Sequence, residues 1–272
     1  MSADLPIVGP EALEGIGALC AGSMPKAPTV AELRRTLFAP DQPSIVRYAP
    51  GVGVVAVGRN DGGGFIRLLL VDRASRRRGL GHELLLAAEA DLKGEPVITV
   101  GADGPYFLFP GVPVDETALC YLLERHHYNR EETNYNIDIR LSDLPPDTGQ
   151  GIVPQAEERP ELDAWMAQHW PNWRDEVMRA FDQGTLLLGR NNQDITGFCA
   201  YDVNTGGTLG PIASRPDLIG RGTGAPLLVG ALHRLRALGH DAIEVLWVGP
   251  MVPYVRLGGQ VGRLFFVYRR RP

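Results

Sequence analysis

The chain has 272 residues, which allows one large domain or two smaller ones at roughly 100–200 residues per domain. Apolar residues make up 44% and charged residues 22%, so the chain can bury a core and is not expected to be disordered as a whole. The formal net charge of −5 argues against a nucleic-acid partner, because nucleic-acid-binding proteins usually carry a basic excess.

The first half shows an ordered series of apolar runs and glycine-rich turns. A β-hairpin is predicted first, because its two apolar runs flank the turn sequence RNDGGG. A glycine loop, a helix, a strand, a short helix and a last strand follow. In chain order these elements are the hairpin strands 52–56 and 65–71, the loop 76–81, the helix 84–92, the strand 96–100, the short helix 122–128 and the strand 136–140.

The second half repeats this order. An amphipathic region at 161–181 predicts helices, and three strands and a second glycine loop follow it. The elements are the strands 184–189, 195–201 and 208–213, the loop 220–224, the helix 227–236, the strand 242–248, the short helix 254–258 and the strand 264–268. The repeat predicts a duplicated α/β domain. The first half has an extra aromatic and proline-rich segment at 105–113, which is predicted to be a loop, and its alternative role is packing against the other domain.

The boundary between the halves is predicted near the midpoint. Residues 141–151, LSDLPPDTGQG, combine a proline pair with glycines and other turn formers, as linkers do. We therefore expect an N-terminal domain at 1–143, a linker at 144–151 and a C-terminal domain at 152–272.

Cysteine and histidine usage indicates the compartment and the absence of a structural metal. Cys20, Cys120 and Cys199 are far apart and form no CxxC pair, so neither a disulfide framework nor a zinc site is predicted. The pair His126-His127 has no acidic or thiol partner at ligand spacing, so no metal is expected there.

The N-terminus lacks the pattern of a signal peptide, and no stretch approaches about 18 uncharged apolar residues, so a cytoplasmic protein without a membrane span is expected.

Both glycine loops follow a strand and precede a helix, which is an arrangement that binds anions. The first backbone N–H groups of a helix have no helical partner, and the helix dipole favours negative charge there. No GxxxxGK[ST] string exists in the chain. The string GVGVVA at 51–56 fits the letters of a dinucleotide fingerprint but leads into a hairpin rather than a helix, which excludes that reading.

The loops resemble the pyrophosphate loop of the GNAT superfamily of N-acetyltransferases. The sequence RRRGLG at 76–81 matches [RQ]xxGx[GA] in full, and IGRGTG at 219–224 matches its glycines but has Ile219 at the first position. The surrounding element order matches in both halves, over residues 45–140 and 152–272. The resemblance implies an α/β fold, of the mixed α+β kind, with two tandem GNAT domains, each a twisted, mostly antiparallel sheet flanked by helices.

The resemblance also assigns roles to residues. Those it implies for acyl-CoA binding are Arg76, Gly79 and Gly81 in the first half, Arg221, Gly222, Thr223, Gly224 and Ala225 in the second, and Ile212 and Ala213 on the strand that would supply the oxyanion donor. In GNAT enzymes a tyrosine after the fifth strand can protonate the departing CoA thiolate. Tyr254 occupies that position in the second half and Leu123 in the first, so the C-terminal domain is expected to be catalytic and the N-terminal domain degenerate; the alternative for Tyr254 is a packed core tyrosine.

Other site residues are hypotheses with open alternatives. Asp202 and Glu244 are candidates for the general base, although carboxylates at such positions are more often ordinary surface or ion-pair groups. Trp170 and Trp173 are candidates to flank the acceptor, because indole faces stack on sugar rings and cations; the alternative is a contact between helices.

The sequence thus predicts an N-acetyltransferase that moves an acetyl group from acetyl-CoA to a primary amine, by direct attack in a ternary complex and without a metal. An aminosugar or another small amine is the expected substrate class, and the protein is expected to be a monomer or homodimer. The alternative is an acyl-CoA-binding pseudoenzyme that acts as a sensor or interaction module, a possibility that Ile219 and Leu123 motivate. A third possibility is that the N-terminal domain is the catalytic one.

Overall fold

The computed structural model describes residues 5–39, 42–104, 106–192 and 194–271. They form two compact units. The first unit contains residues 1–134 and 264–272, and the second unit contains residues 135–263. Both units are mixed α/β structures, so the predicted fold class is confirmed.

The first unit is a sheet with helices on both faces. Its helices are α1 (Leu13–Ser23), α2 (Val30–Leu37), α3 (Leu80–Asp91) and α4 (Thr117–Arg125). Its strands are β1 (Ile7–Val8), β2 (Ile45–Ala49), β3 (Gly53–Asn60), β4 (Gly63–Val71), β5 (Ile98–Val100) and β6 (Val112–Pro113), with the start of β7 (Asn129–Arg140). The neighbour order is β1-β2-β3-β4-β5 and then the end of β12 (Gln260–Arg270), and only β4 and β5 are parallel.

Alternation along β3 explains the two layers of this unit. Val54 and Ala56 pack with α1 and α2, whereas Val55 and Val57 pack with α3 on the other face. A strand whose successive residues are all apolar can bury both faces in this way.

The second unit repeats the arrangement. Its helices are α5 (Arg159–His169), α6 (Arg174–Gln183), α7 (Gly224–Ala237) and α8 (Val252–Val255). Its strands are β8 (Leu186–Asn191), β9 (Asp194–Tyr201), β10 (Thr208–Ser214) and β11 (Ala242–Val245), and the end of β7 pairs with β11. The core on one face is covered by α7 and α8, and the core on the other face by α5 and α6.

The compact units follow a different division from the predicted boundaries at 143 and 152. Ile137 and Ile139 of β7 pair with Val245 and Ile243 of β11 in the second unit. Tyr268 of β12 pairs with Val100 of β5 in the first unit. The physical reason is strand pairing: the last strand of each sequence repeat completes the sheet of the other repeat. The linker composition at 144–151 therefore does not separate two self-contained sheets.

The extra segment of the first half is more ordered than the predicted loop. Tyr106, Phe107 and Leu108 are buried, and Val112–Pro113 forms β6, which pairs with β12. Pro105 lies outside the described residues. Among the described residues, no helix combines the length and apolarity that crossing a bilayer requires.

Candidate active site

A gap between β10 and β11 defines the candidate site in the second unit. The two strands are parallel neighbours only at Thr208 and Leu209, which pair with Glu244 and Val245. The last bond of this ladder runs from the Leu246 N–H to the Leu209 carbonyl oxygen, at 3.1 Å. A bulge follows Leu209 on the side of β9, and the remainder of β10 leaves β11. The edge of β10 beyond the bulge is thus open to a ligand.

Ile212 and Ala213, the two predicted oxyanion donors on β10, point their backbone N–H groups in opposite directions. The Arg215 N–H donates to the Thr196 carbonyl oxygen at 2.8 Å, and antiparallel hydrogen bonding alternates along a strand. Ala213, two residues earlier and opposite Phe198, therefore directs its N–H to β9. The N–H of Ile212 points the other way, into the gap. Ile212 is thus the residue of this pair that can bind an oxygen there.

The glycine loop lies between β10 and α7. Gly220 and Gly222 have φ values of +80° and +83°, which glycine adopts without the strain that a side chain brings. A Cβ atom at Gly222 would meet no atom within 4 Å, so this part of the loop faces open space. The Thr223 hydroxyl hydrogen-bonds the Ser214 hydroxyl at 2.8 Å and ties the loop to the end of β10.

The chemistry of this loop suits a pyrophosphate. α7 begins at Gly224, so the N–H groups of its first turn point toward the loop, with Ala225 in that turn. Arg221 is exposed and adds positive charge beside Gly222. A helix N-terminus with a neighbouring arginine stabilises a bound phosphate. The predicted acyl-CoA residues of the second half therefore lie along one path, from the bulge of β10 to the start of α7.

Tyr254 lies on α8 and packs against the start of this path. It is 6% exposed and belongs to the same core cluster as Leu209 and Val245, the last paired residues of β10 and β11. Ile212 packs against that cluster. Burial raises the pKa of the Tyr254 hydroxyl, and Cys199 adds to the effect. The hydroxyl therefore keeps its proton at neutral pH, as a general acid must before it acts.

Matching hydrogen bonds identify the corresponding positions in the first unit. The Gly101 N–H donates to the Ile66 carbonyl oxygen at 2.9 Å, as Leu246 does to Leu209. The Tyr128 N–H donates to the Leu123 carbonyl oxygen at 3.0 Å, as Gly259 does to Tyr254 at 2.9 Å. Leu123 therefore stands where the second unit has its tyrosine.

The first unit places its own ion pair where its strands part. Arg67, next after Ile66, is the extra residue of the bulge in β4. Its fully buried guanidinium lies 2.5 Å from the carboxylate of Asp103, which is also fully buried. Arg67 also donates to the Gln42 carbonyl oxygen at 2.9 Å and lies over the ring of Tyr106 at 4.9 Å. A buried, ion-paired side chain thus follows the last paired residue of β4, where the second unit has Gly210.

The first glycine loop keeps its shape but turns one arginine inward. Gly79 has a φ of +89° and caps α3. The Arg76 Nε donates to the Val71 carbonyl oxygen at 3.1 Å, and its Nη1 lies 3.6 Å from Glu116. A Cβ atom added at Gly81 would lie 3.4 Å from the side chain of Leu122. The loop therefore fits the family pattern in sequence, but the side chain of Arg76, at its first position, is already bound to other protein groups.

The two predicted general bases are held in structural interactions. The Asp202 carboxylate accepts a hydrogen bond from the Thr208 N–H at 3.2 Å and lies 3.6 Å from His240, so it fixes the turn after β9. Glu244 is buried and forms a bidentate ion pair with Arg263 at 2.8 and 2.7 Å. A carboxylate in such a pair loses strong hydrogen bonds when it takes up a proton.

The tryptophans form an aromatic group on the opposite face of the sheet from Tyr254. Trp170 and Trp173 stack on each other, with ring centroids 5.0 Å apart and planes 15° from parallel. Trp173 meets Phe198 of β9 edge-on at 6.4 Å, and Trp165 meets it at 6.1 Å. Trp173 is 37% exposed, so one side of the stack is open. The indole N–H groups of Trp165 and Trp170 are buried without a hydrogen-bond partner in the described part of the chain.

Glu176, for which the sequence indicates no role, is buried on this face. It is 6% exposed, and burial raises the pKa of its carboxyl to about 8. The sequence signal that could have placed Glu176 on the same face as the tryptophans is its position three residues after Trp173, because residues i and i+3 share a helix face. Within the described ranges, no group of three or more His, Cys, Asp or Glu side chains is arranged to bind a metal ion.

Comparisons with known proteins agree with this geometry. No protein-family model matches the chain. The sequence is 28% identical over 261 residues to a mycothiol acetyltransferase of Clavibacter sepedonicus, covering 87% of this chain and 83% of that protein. It is 29% identical over 245 residues to a mycothiol acetyltransferase of Kineococcus radiotolerans, covering 80% and 77%.

Solved structures show the same fold. A tandem GNAT protein from the clavulanic acid biosynthesis pathway matches 99% of this chain and 96% of its own, with a TM-score of 0.68 and 14% identity. The chain thus has the fold of tandem GNAT proteins. A GCN5-related N-acetyltransferase of Sphaerobacter thermophilus matches 98% of this chain and 95% of its own, with a TM-score of 0.71 and 19% identity.

A third neighbour is a GCN5-related glucosamine N-acetyltransferase region in a fungal multi-domain β-N-acetylglucosaminidase. It matches 98% of this chain with a TM-score of 0.78 and 18% identity, and the match spans 38% of that longer chain. The sequence relatives are acetyltransferases, so the predicted activity class, a GNAT-type acetyltransferase that uses acetyl-CoA, is confirmed.

Proposed function

We propose that the second unit transfers an acetyl group from acetyl-CoA to the amine of a small acceptor, with an aminosugar as the favoured class. The observation that carries this proposal is the continuous path from the open edge of β10 at Ile212 to the glycine loop at Gly222. Tyr254 packs against the start of that path and supplies a protonated hydroxyl.

Each part of the path has a chemical task. Acetyl-CoA brings a thioester whose carbonyl carbon the amine attacks. The Ile212 N–H points into the gap and stabilises the oxyanion that develops there. The loop at Gly222 and the start of α7 hold the pyrophosphate, which fixes the thioester along β10. When the carbon–sulfur bond breaks, Tyr254 donates its proton to the thiolate.

The first unit is proposed to be non-catalytic. Two observations support this: Leu123 cannot transfer a proton, and the pair of Arg67 and Asp103 fills the space next to the bulge of β4. The unit supplies the end of β12 with its pairing partner β5, which is a structural contribution.

The acceptor is proposed to bind on the face of the sheet that carries Trp170 and Trp173. The open side of their stack suits a sugar ring or a cation. One neighbour in fold is described as a glucosamine N-acetyltransferase, and the sequence relatives are mycothiol acetyltransferases. These descriptions favour an aminosugar-like amine over a protein substrate.

The compartment, the partners and the oligomeric state complete the proposal. Cys20 and Cys199 are buried free thiols and Cys120 is a partly buried one, which suits a reducing, cytoplasmic setting. A small-molecule acceptor is the expected partner, with no nucleic acid and no membrane, and the protein is expected to act as a monomer or homodimer without a metal.

A turnover assay tests the proposed function. We expect CoA release that depends on both acetyl-CoA and an amine from a panel that includes glucosamine, galactosamine and simple alkyl amines. Mass spectrometry should show the acetylated amine. Binding of acetyl-CoA by calorimetry without release of CoA for any amine would instead favour the pseudoenzyme.

A further inference from the structure

The chain that continues β11 has an unusual backbone conformation at the point where β10 and β11 part. The Leu246 N–H makes the last bond to β10, and the next residue, Trp247, has a φ of +48°. This left-handed conformation is costly for a residue with a bulky side chain, so it persists only where neighbouring groups hold it. The neighbours of Trp247 therefore decide whether the chain can leave β10 at this point.

The pairing of β7 with β11 shows that Trp247 is an extra residue. Ile137 lies opposite Val245 in this antiparallel pair, so a regular continuation would bring Tyr135 opposite Trp247. Instead, the Val248 N–H donates to the Tyr135 carbonyl oxygen at 3.0 Å. One residue is thus inserted, as in a β-bulge, and a bulge bends the strand that carries it. The bend comes directly after the last bond to β10.

The side chain of Asn136 replaces the backbone acceptor that Trp247 has lost. The Trp247 N–H donates to the Asn136 Oδ1 at 2.9 Å. Asn136 lies on β7 and is fully buried, and its Nδ2 donates to the Glu244 Oε1 at 2.9 Å. Glu244 is fixed in turn by its bidentate pair with Arg263. Asn136 therefore stabilises the bulged form relative to a regular strand, in which Trp247 would use the Tyr135 carbonyl oxygen.

The first unit holds the corresponding residue in the same conformation by another route. Ala102 follows Gly101, whose N–H bonds to β4, and has a φ of +54°. The Ala102 N–H donates to the Phe109 carbonyl oxygen at 3.0 Å, within the extra segment of the first half. The conformation is thus common to both units, whereas the group that holds it is a backbone carbonyl in one and the Asn136 side chain in the other.

We propose that Asn136 is the positioning residue that keeps the gap between β10 and β11 open for the thioester arm of acetyl-CoA. This inference rests on the proposed function, which places the thioester beside Ile212 in that gap. A regular continuation of β11 would run on beside β10 and pair with the edge that the ligand needs. Asn136 prevents this pairing because it holds Trp247 to β7. Glu244 acts through Asn136, so this buried carboxylate is a positioning residue as well, rather than the general base.

Two ligands separate an effect on the gap from an effect on the fold. Acetyl-CoA uses both the gap and the glycine loop, whereas ADP shares the adenosine and pyrophosphate of CoA but has no arm to enter the gap. We expect Asn136→Ala to raise the Kd of acetyl-CoA in calorimetry by about 5–150-fold, because only a fraction of the molecules keeps the gap open. The Kd of ADP should stay at the wild-type value.

Steady-state kinetics give a second readout that a merely structural residue would not produce. The loss in Asn136→Ala should appear in KM for acetyl-CoA, and kcat should stay near the wild-type value, because saturating acetyl-CoA selects the open form. Loss of a general base would instead lower kcat. Glu244→Ala should follow the pattern of Asn136→Ala, because Glu244 acts through it.

Asn134→Ala is the matched control. Asn134 lies on the same strand, is also buried, and donates a side-chain hydrogen bond to the Pro110 carbonyl oxygen at 2.8 Å. It belongs to the first unit, so the substitution removes a similar buried hydrogen bond without removing the group that holds Trp247. Both acetyl-CoA and ADP should bind this variant with wild-type Kd values.

A glycine at position 247 tests the conformation itself. Glycine adopts a positive φ without strain, whereas alanine does not. Trp247→Gly should therefore make the Kd of acetyl-CoA less sensitive to Asn136→Ala, and Trp247→Ala should leave that sensitivity unchanged. Both substitutions remove the indole ring, so the comparison of the two double variants isolates the effect of φ.

Hydrogen exchange on the wild-type protein serves if Asn136→Ala does not fold. Acetyl-CoA should slow exchange of the Trp247 amide, because binding and the held conformation are linked. A Trp247 amide whose exchange acetyl-CoA leaves unchanged would overturn the proposal.

Three results on folded variants would also overturn it. The first is an Asn136→Ala protein that binds acetyl-CoA as the wild type does, the second is an equal loss of affinity for acetyl-CoA and ADP, and the third is equal sensitivity in the glycine and alanine backgrounds. A wild-type protein that releases no CoA with any amine would refute the proposed function instead. Because acetyl-CoA affinity can be measured without turnover, the two failures are distinguishable.

Discussion

Arg67 and Asp103 form a fully buried ion pair at the point where β4 leaves β5 in the first unit. Burying two charges is costly unless each is paired and hydrogen-bonded, and here Gln42, Ser44 and Asn60 complete the network. The matching point in the second unit, after Leu209, has Gly210 instead of an arginine. The same backbone geometry thus carries a buried ion pair in the first unit and leaves a glycine in the second.

Removing one partner of this pair should be strongly destabilising. We expect Asp103→Ala to lower the free energy of unfolding by about 3–5 kcal/mol, because the Arg67 charge would remain buried without its partner. Chemical denaturation followed by circular dichroism measures the change. Asp217→Ala, which removes a surface pair with Arg215, should cost no more than about 1 kcal/mol. Equal effects of the two variants would contradict the structural role of the buried pair.

The two glycine loops allow a matched comparison of acetyl-CoA binding. Gly222→Glu and Gly79→Glu place the same side chain at positive φ values of +83° and +89°, with open space around both positions. Their backbone strain should therefore be alike. Gly222→Glu should abolish acetyl-CoA binding in calorimetry, because a carboxylate would occupy the pyrophosphate position, and Gly79→Glu should bind normally. Loss of binding only in Gly79→Glu would mean that the first unit is the cofactor site.

Tyr254→Phe tests the general acid. The substitution keeps the buried ring and removes the hydroxyl, so the protein should stay folded and bind acetyl-CoA. The rate loss should appear in kcat more than in KM, because the ground-state thioester needs no proton. Its size should be at or below about 10²–10⁴-fold, since a thiolate is a fair leaving group. A wild-type kcat for Tyr254→Phe in steady-state kinetics would mean that Tyr254 serves only in packing.

Glu176 should also make stability depend on pH. Its folded pKa of about 8 lies above its ordinary value of 4.5, so its contribution is fully present below pH 4.5 and is lost as pH rises to about 8. Glu176→Gln lacks this loss. The Tm of the variant relative to wild type should therefore increase between pH 4.5 and 8, by about 2–4 °C for each kcal/mol involved. A Tm difference that is constant over this range would show that the Glu176 carboxyl ionises normally.

The sequence predicts much of this site because its signals are local. A strand, a glycine loop and a helix follow one another in both halves, so the path from Ile212 to Gly222 could be inferred from order alone. Tyr254 and Leu123 could be aligned because each lies on the short helix that precedes the last predicted strand of its half. These predictions need no knowledge of which strands pair.

Features that depend on distant residues could not be predicted. Arg67 and Asp103 are 36 positions apart, and nothing in the sequence near either shows that they meet. The arginine that holds Glu244 is 19 positions away and lies on a different strand, β12. The environment of Glu176 depends on Asn204, 28 positions later, and a buried carboxyl looks like any acidic helix residue in a sequence. The pairing of strands from different repeats also joins residues that are far apart in the sequence. For this reason the division into compact units could not be predicted either.

The exchange of final strands makes the order of synthesis matter. The first unit needs residues 264–270 of β12 beside β5, yet these residues follow the whole second unit in the chain. Until they arrive, β5 has an unpaired edge of the kind that invites aggregation. A fragment that ends in the predicted linker would keep that open edge, and its β7 would end in a segment without a partner. Two such halves expressed together could each supply what the other lacks, so the protein is suited to fragment complementation and unsuited to dissection into single domains.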